Sequence, residues 1–403
     1  MTDLAIAGRL GAASYIGAIA VGSGLFNMVY WLLGFLRAGT SGLTAQAYGA
    51  GDSARVDDIF YRGFSIGVIL GLIALALSPA IAAIFLPFME ADGPTTALAE
   101  RYFMVVIWGA PAYLATNAMS GWLLGNQNSV ATLKIAVFIN ITNILLSLFF
   151  VFVLQMKIEG IAAGTASSQW FGFLYSLRIV RHTYRPRCGP WRRVFERGAL
   201  TGFFRLNFDI FLRTLCLVAV TLWFTRTGAK SGPDVLAANA LLMQLFMLFS
   251  FFMDGFAYAG EAIAGKELGA GCKERIRLLE TDLMKWGVAL SLLGVAVYFF
   301  CGEWIMSLLT EEEGVKAVGR DYLPWAVSIP LFGFMAFIYD GIYIGMSLTR
   351  RLLLSMLIAI GIYFLTYFLL FPRWGNHALW LAFSLYLLGR GLSQLFLIRP
   401  SLR

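Results

Sequence analysis

Charged residues are scarce in this sequence. They make up 13% of its 403 residues, whereas 59% of the residues are hydrophobic. Because soluble domains carry roughly 25% charged residues, this composition excludes an ordinary soluble protein. Apolar runs of ~20 residues recur along the chain, and each is long enough for a helix that crosses the ~30 Å hydrocarbon core of a membrane. We therefore predict an all-α integral membrane protein.

Histidine and cysteine are also rare, with two and four residues respectively. His182 and His377 fall in or beside predicted loops, and the cysteines have no metal-site or disulfide spacing. The sequence contains no HExxH, GxSxG or P-loop pattern. We therefore expect neither an enzyme nor a bound metal or cofactor.

The positive charges are distributed unequally over the predicted loops. The formal net charge is +8, and 20 Lys and Arg residues lie on one side of the membrane against 8 on the other. By the positive-inside rule, the first side is the cytosol. The charge is thus an orientation signal rather than a nucleic-acid surface, and we expect an inner-membrane protein with a cytosolic C-terminus. The predicted spans are a short piece at 4–10, then 14–46, 58–88, 98–125, 130–155 and 160–183, followed by 198–225, 235–268, 278–309, 317–347, 351–371 and 376–398.

A basic segment, "RHTYRPRCGPWRRVFER" (181–197), separates six predicted helices from six others. The stretches "AYGAGDSAR" (47–55) and "ELGAGCKER" (267–275) align without a gap and share Gly-Ala-Gly and the final Arg in register. Internal repeats of this kind are common in transporters, whose halves rock around a midplane site. We predict an N-terminal lobe at 1–183, a cytosolic linker at 184–197 and a C-terminal lobe at 198–403.

Three carboxylates of the second half lie deep within predicted spans. Asp209, Asp254 and Asp340 are each ten to twelve residues from a basic residue at the cytosolic edge, which places them ~15–18 Å from that edge. Intramembrane acids are costly in lipid and indicate functional sites. Asp254 and Asp340 have no basic residue within two turns, whereas Arg213 stands four residues after Asp209, so those two side chains can also form a structural ion pair.

Five stretches of the sequence are characteristic: "FLRAGTSGLTAQAYGAGD" (35–52), "RLNFDIFLRTL" (205–215), "AANALLMQLF" (237–246), "FFMDGFAYAGEAIAGKELGAG" (251–271) and "YDGIYIG" (339–345). In these stretches the sequence resembles the multidrug and toxic compound extrusion (MATE) family, in its DinF-like branch. The resemblance implies twelve helices in two six-helix lobes, and export of organic, often cationic, compounds driven by inward proton or sodium flow.

The candidate site residues follow from these observations. The ion-coupling candidates are Asp3, Asp209, Asp254, Asp340 and Glu261, although Glu261, near the cytosolic edge, can instead be solvated. The substrate-cavity candidates are Asn143, Thr165, Arg213, Asn239 and Gln244, although interhelical hydrogen bonding is an equally direct role for Asn143 and Thr165. Asp3 is expected to be the only buried acid of the first lobe.

Asp3 matches a carboxylate that the family places midway along its first helix. A helix over residues 1–11 would be only ~16 Å long and would not cross a membrane. Either the natural start lies upstream or the chain is a truncated, inactive copy; both readings stay open here.

Two further functions compete with a monomeric antiporter of small organic substrates. A flippase for lipids or lipid-linked sugars from the same superfamily would favour a cationic cavity, whereas the predicted midplane is mainly acidic. A channel would need no ion coupling, and the sequence does not separate it from a transporter.

Overall fold

The computed structural model of the chain describes residues 13–89, 93–187, 189, 194–310 and 312–402. The regular elements in these ranges are helices, and no β-strand occurs among them. The prediction of an all-α protein is therefore confirmed.

The described residues form two compact units. The first extends to Asn207, except that the turn Gly49–Gly51 is grouped with the second. Short 3-10 helices follow α4 and precede α6, and a π-helical turn follows α7. The helices of the first unit are α1 (Ala13–Leu33), α2 (Phe35–Gly49), α3 (Ser53–Ala76), α4 (Ser78–Phe85), α5 (Gly93–Val106), α6 (Ala110–Gly125), α7 (Ser129–Leu148) and α8 (Ile158–Thr183).

The second unit consists of six long helices and begins at Phe208, inside the first of them. They are α9 (Arg197–Lys230), α10 (Pro233–Gly269), α11 (Lys273–Leu309), α12 (Glu313–Gly345), α13 (Thr349–Trp374) and α14 (Asn376–Leu402). The two-lobe architecture is confirmed, whereas the boundaries proposed at 183 and 198 stay a prediction.

Nine helical segments of the described chain are long and apolar enough to cross a membrane. They are Gly17–Gly49, Ser53–Ala76, Ser129–Val153, Arg197–Lys230, Pro233–Gly269, Lys273–Leu309, Glu313–Gly345, Thr349–Trp374 and Asn376–Ser401. The predicted spans at 98–125 and 160–183 are helical as well. The first is divided by a 3-10 turn at Ile107–Gly109, because Pro111 has no amide hydrogen to donate to Ile107. Eleven predicted spans are thus helical, and the piece at 4–10 lies outside the described residues.

The repeat recurs in the backbone conformation of two turns. Gly51 and Gly271, which are equivalent positions in the aligned stretches, have φ angles of 70° and 75°. Gln127 and Ser347, which are separated by the same offset, have φ angles of 64° and 56°. After each of these four residues, the amide of the next residue donates a hydrogen bond to the carbonyl five positions before it, which ends the helix. The internal repeat predicted from nine residues is confirmed.

Close helix packing repeats at the same offset. In the first unit, a Cβ added at Gly121 would collide with the carbonyl oxygen of Arg37, and one added at Gly125 with that of Ser41. Glycines four residues apart lie on one face of a helix and allow a neighbouring backbone to approach closely. Helices α2 and α6 therefore meet through their backbones.

The corresponding pair in the second unit is α10 and α12. There a Cβ added at Gly341 would collide with the carbonyl oxygen of Ala257, and one added at Gly345 with that of Glu261. All four positions are the equivalents in the repeat of the four first-unit positions. Asp340 is one residue from Gly341. The close packing therefore fixes the position of Asp340 along α12 relative to α10.

Candidate functional site

Asp340 lies at the centre of a buried polar network in the second unit. Its Oδ2 accepts hydrogen bonds from Nη2 of Arg213 on α9 and from Nη2 of Arg390 on α14. Its Oδ1 accepts a hydrogen bond of 2.7 Å from Nε2 of Gln394. The expectation that Asp340 has no basic partner is wrong, because both arginines come from other helices that spacing along one helix does not reveal.

The two arginines differ in their surroundings. The side chain of Arg390 is 4% exposed and that of Arg213 is 14% exposed. The guanidinium carbon of Arg390 is also 5.7 Å from the ring centre of Phe337, a distance at which a cation is attracted to the aromatic face. Buried charges are tolerated when they are paired and hydrogen-bonded. Arg390 is thus the anchored partner of Asp340 and Arg213 the more accessible one.

Asp254, the second deep acid, lies within electrostatic range of Arg213. It is half-buried on α10. Arg213, Asp254, Asp340 and Arg390 form what we name the arginine–aspartate cluster, with two positive and two negative groups. Arg213 thus bonds to one predicted coupling acid, Asp340, and lies within electrostatic range of another, Asp254.

Asp209 has a different partner from the one that the sequence offers. Its Oδ2 accepts a hydrogen bond of 2.7 Å from the Thr349 hydroxyl at the start of α13. Arg213, four residues later, instead donates to Asp340. The alternative of a local ion pair between Asp209 and Arg213 is therefore replaced by two contacts between helices.

Glu261 is buried in this structure, with 1% of its surface exposed. The interpretation that it is solvated near the membrane edge is therefore wrong. The reason is the close approach of α12, whose Gly345 lies against the Glu261 backbone.

The polar candidates of the first unit join two helices. Nδ2 of Asn143 on α7 donates a hydrogen bond of 3.0 Å to the Thr165 hydroxyl on α8, and that hydroxyl donates to the carbonyl of Ile161. This is the interhelical bonding that the sequence offered as one of two roles. Asp3 lies outside the described residues. Asp58 is 6% exposed, so the expectation of a single buried acid in this lobe is wrong.

The remaining candidates, Asn239 and Gln244, have opposite environments on α10. Asn239 is buried, exchanges two hydrogen bonds of 2.8 and 2.9 Å with Asn376, and accepts another from the indole of Trp380. Gln244 is exposed. The amide of Asn239 thus connects α10 to the start of α14.

Sequence reasoning missed Arg390 and Gln394, both in the apolar run "LYLLGRGLSQLFL" (385–397). The sequence did contain a signal for Arg390. The basic residues assigned to the two sides of the membrane, 20 and 8, account for only 28 of the 31 Lys and Arg residues. The three others, Arg37, Arg213 and Arg390, lie inside predicted spans. A lone arginine in such a run is costly in lipid and indicates a buried acidic partner.

Comparison with known proteins gives one consistent picture. The MatE family model matches residues 1–149 and 207–369. DNA damage-inducible protein F of Escherichia coli (strain K12) is 35% identical over 398 residues, which cover 98% of this chain and 86% of that protein. The probable multidrug resistance protein NorM of Idiomarina loihiensis is 23% identical over 332 residues, 78% of this chain and 69% of that protein.

Solved structures share the fold. A crystal structure of a MATE protein in the bent conformation matches with a TM-score of 0.88 at 18% identity, covering 100% of this chain and 90% of that one. A MOP superfamily transporter from Pyrococcus furiosus, described as having a binding pocket of reverse polarity that suggests a different function, matches with the same TM-score, identity and coverage.

Proposed function

The chain belongs to the MatE family of multi-pass membrane transporters, and from this we propose that it is a secondary active antiporter. It exports organic compounds, cationic or amphipathic, in exchange for protons or sodium ions. It acts as a monomer in the cell inner membrane and uses no cofactor beyond the coupling ion.

The observation that carries this proposal is the arginine–aspartate cluster. Arg213 is hydrogen-bonded to Asp340 and lies within electrostatic range of Asp254, so both acids attract a cation that belongs to the protein itself. An organic cation that reaches the cluster offers the same aspartates another positive partner. It therefore competes with Arg213, which is more exposed than Arg390.

Exchange follows if the coupling ion and the substrate compete for the same negative charge. A proton or sodium ion on Asp254 neutralises that charge and weakens the attraction for an organic cation. Release of the ion restores it. Two ligands that bind one site in alternation are coupled with opposite sign, which is the thermodynamic requirement of antiport.

The test is coupled efflux from proteoliposomes that contain the full chain and a fluorescent organic cation. We expect efflux to follow an imposed inward proton or sodium gradient and to be lost in Asp254→Asn. Asp282→Asn, an exposed acid on α11, serves as the matched control. Efflux that is independent of both gradients, or wild-type coupling in Asp254→Asn, would contradict the proposal.

The membrane orientation belongs to the same proposal. The excess of basic residues favours a cytosolic position for 184–197 and for the C-terminus, with 90–97 and 311–316 on the outer side. Labelling of single introduced cysteines by an impermeant reagent distinguishes the two sides. Modification from outside at position 192 but not at position 312 would show that the chain has the opposite orientation and would contradict the proposal.

A flippase is the second candidate, and the two buried arginines favour it. Arg213 and Arg390 point their guanidinium groups at the same carboxylate oxygen, and a lipid phosphate can compete with Asp340 for both. Movement of a fluorescent phospholipid between leaflets, in the absence of any ion gradient, would support this candidate. Gradient-driven export of an organic cation without lipid movement would exclude it.

A further inference from the structure

A cavity lies in the second unit, on the side of α12 that faces α11 and α14. Its volume is about 910 Å³. Three cationic side chains line it, Arg277 and Lys285 from α11 and Arg399 from α14, against one carboxylate, that of Glu280. None of these residues belongs to the arginine–aspartate cluster.

The carboxylate in this cavity already has a partner. The hydroxyl of Tyr339 donates a hydrogen bond of 2.6 Å to Oε1 of Glu280. This contact joins α11 to α12 at the wall of the cavity. Lys285 donates a hydrogen bond of 3.1 Å to the neighbouring Asp282, so the attraction of the cavity for anions depends on Arg277 and Arg399.

The cavity lies where polar helix ends give way to apolar helix. In α11, the charged stretch "KERIRLLETDLMK" (273–285) is followed by the apolar run "WGVALSLLGVAVYFF" (286–300). In α14, Arg399 follows directly after the apolar run "LFLI" (395–398). Trp286, at the boundary on α11, is exposed, and tryptophan is enriched at the membrane–water interface. Arg277 and Arg399 lie just outside the predicted spans 278–309 and 376–398, which places these two cations at the depth of lipid headgroups.

The rest of the lining is apolar. Met284, Val288, Met335 and Leu395 continue the cavity along the helices. A ligand with a negatively charged head and an apolar body would match both the cationic and the apolar parts of the cavity lining. Basic pockets between membrane helices on the cytosolic side bind anionic lipid headgroups in this way.

We propose that this cavity binds the phosphate group of an anionic phospholipid from the inner leaflet. Arg277 and Arg399 contact the phosphate, with each guanidinium able to donate two parallel hydrogen bonds. The acyl chains lie along Met284, Val288 and Leu395. The site is distinct from the cluster; the proposal rests on the proposed membrane orientation but not on the exported compound or the coupling ion.

The test is titration of the purified full chain in neutral detergent with phosphatidylglycerol, with bound lipid counted by native mass spectrometry. We expect phosphatidylglycerol to bind more tightly than phosphatidylcholine. Arg277→Ala and Arg399→Ala should each weaken its binding about fivefold, since a basic residue near an anionic headgroup contributes ~1 kcal/mol. Arg350→Ala removes an exposed arginine at the start of α13 and should leave binding unchanged.

A parallel titration with glycerol 3-phosphate and inorganic phosphate distinguishes a lipid from a soluble ligand. Weak binding of these ions beside tight binding of phosphatidylglycerol assigns the site to lipid; equally tight binding of both assigns it to a soluble phosphate and overturns the lipid proposal. Two further results would also overturn the proposal. One is a loss of phosphatidylglycerol binding in Arg350→Ala as large as in the two arginine variants of the cavity. The other is wild-type affinity in both Arg277→Ala and Arg399→Ala. Melting curves in phosphatidylcholine verify that every variant is folded.

Discussion

The carboxylate of Asp340 is bonded to the guanidinium of Arg390 in the interior of the second unit. The two residues are fifty positions apart in sequence and lie on different helices, α12 and α14. Each neutralises a charge that the other could not bury alone. The pair therefore has a structural role as well as any part in transport.

The first prediction concerns the stability of this pair. Asp340→Asn removes the negative charge from between two arginines, which leaves Arg390 buried without its counter-charge and Arg213 with only Asp254 in range. Breaking a buried ion pair on one side costs roughly 3–5 kcal/mol. We expect a clear fall in the melting temperature of Asp340→Asn, measured by thermal unfolding of the purified chain.

A double-mutant cycle provides the control for this effect. Arg390→Gln should also lower the melting temperature. The double variant should lose less than the sum of the two single losses, because neither Asp340 nor Arg390 is then left as a buried charge without its partner. Strictly additive losses would show that the two side chains do not interact. Asp254→Asn, by contrast, should melt close to wild type because Asp254 is half-buried.

The second prediction concerns the close contact of α10 and α12. Gly341→Ala places a methyl group against the carbonyl oxygen of Ala257 and forces the helices apart. Overpacking of this kind costs typically about 1–3 kcal/mol. We expect Gly341→Ala to lower the melting temperature, and Gly121→Ala, its counterpart in the repeat, to do the same.

Gly255→Ala is the matched control, because open space surrounds that glycine on α10. Alanine is favoured over glycine in a helix by up to about 1 kcal/mol, so this variant should melt at or above the wild-type temperature. Equal melting of Gly341→Ala and Gly255→Ala would refute the close contact.

The third prediction concerns Asn239 and Gln244, two polar residues of α10 that sequence analysis assigned to the same substrate-cavity role. Asn239→Leu leaves the amide of Asn376 and the indole of Trp380 without their partner. A buried group without its hydrogen bond costs about 1–3 kcal/mol. We expect a lower melting temperature for Asn239→Leu and no change for Gln244→Leu.

Transport measured on the same two variants tests the predicted cavity role. If Gln244 contacts substrate, Gln244→Leu should change the apparent affinity for the organic cation while stability stays constant. An unchanged affinity in Gln244→Leu would remove that residue from the cavity.

Sequence patterns predicted the helices and the repeat well, because both depend on local properties. Apolar runs set the length of each span, and the glycines at 51 and 271 were visible as a repeated Gly-Ala-Gly. These inferences need no knowledge of which helices touch.

The partners of the site residues were not predictable in the same way. Asp340 meets Arg390 only because α12 packs beside α14, and Asp209 meets Thr349 only because α9 lies near α13. Spacing within a helix favoured the wrong partner, Arg213, for Asp209. What the sequence did contain was the cost of a lone arginine in an apolar run, which implied an acid without saying which one.

The last prediction concerns the connection between α8 and α9, which binds to the start of α3. Nε of Arg62 donates a hydrogen bond of 2.8 Å to the carbonyl of Val194, and the amide of Arg187 donates one of 3.0 Å to Asp57. The hydroxyl of Tyr61 bonds to the carbonyl of Pro186. Three side chains of one helix thus hold both ends of the connection.

Arg62→Met removes the contact with Val194 while keeping a long apolar stem. We expect faster amide hydrogen exchange in peptides covering 194–197, because a segment held by fewer contacts opens more often. Arg55→Met, an exposed arginine two turns earlier on α3, should leave exchange at wild-type rates. Since Asp57 and Tyr61 hold the other end independently, exchange in 184–187 should rise less in Arg62→Met than in Asp57→Ala. Identical exchange in Arg62→Met and the wild type would mean that the hydrogen bond to Val194 does not restrain the connection.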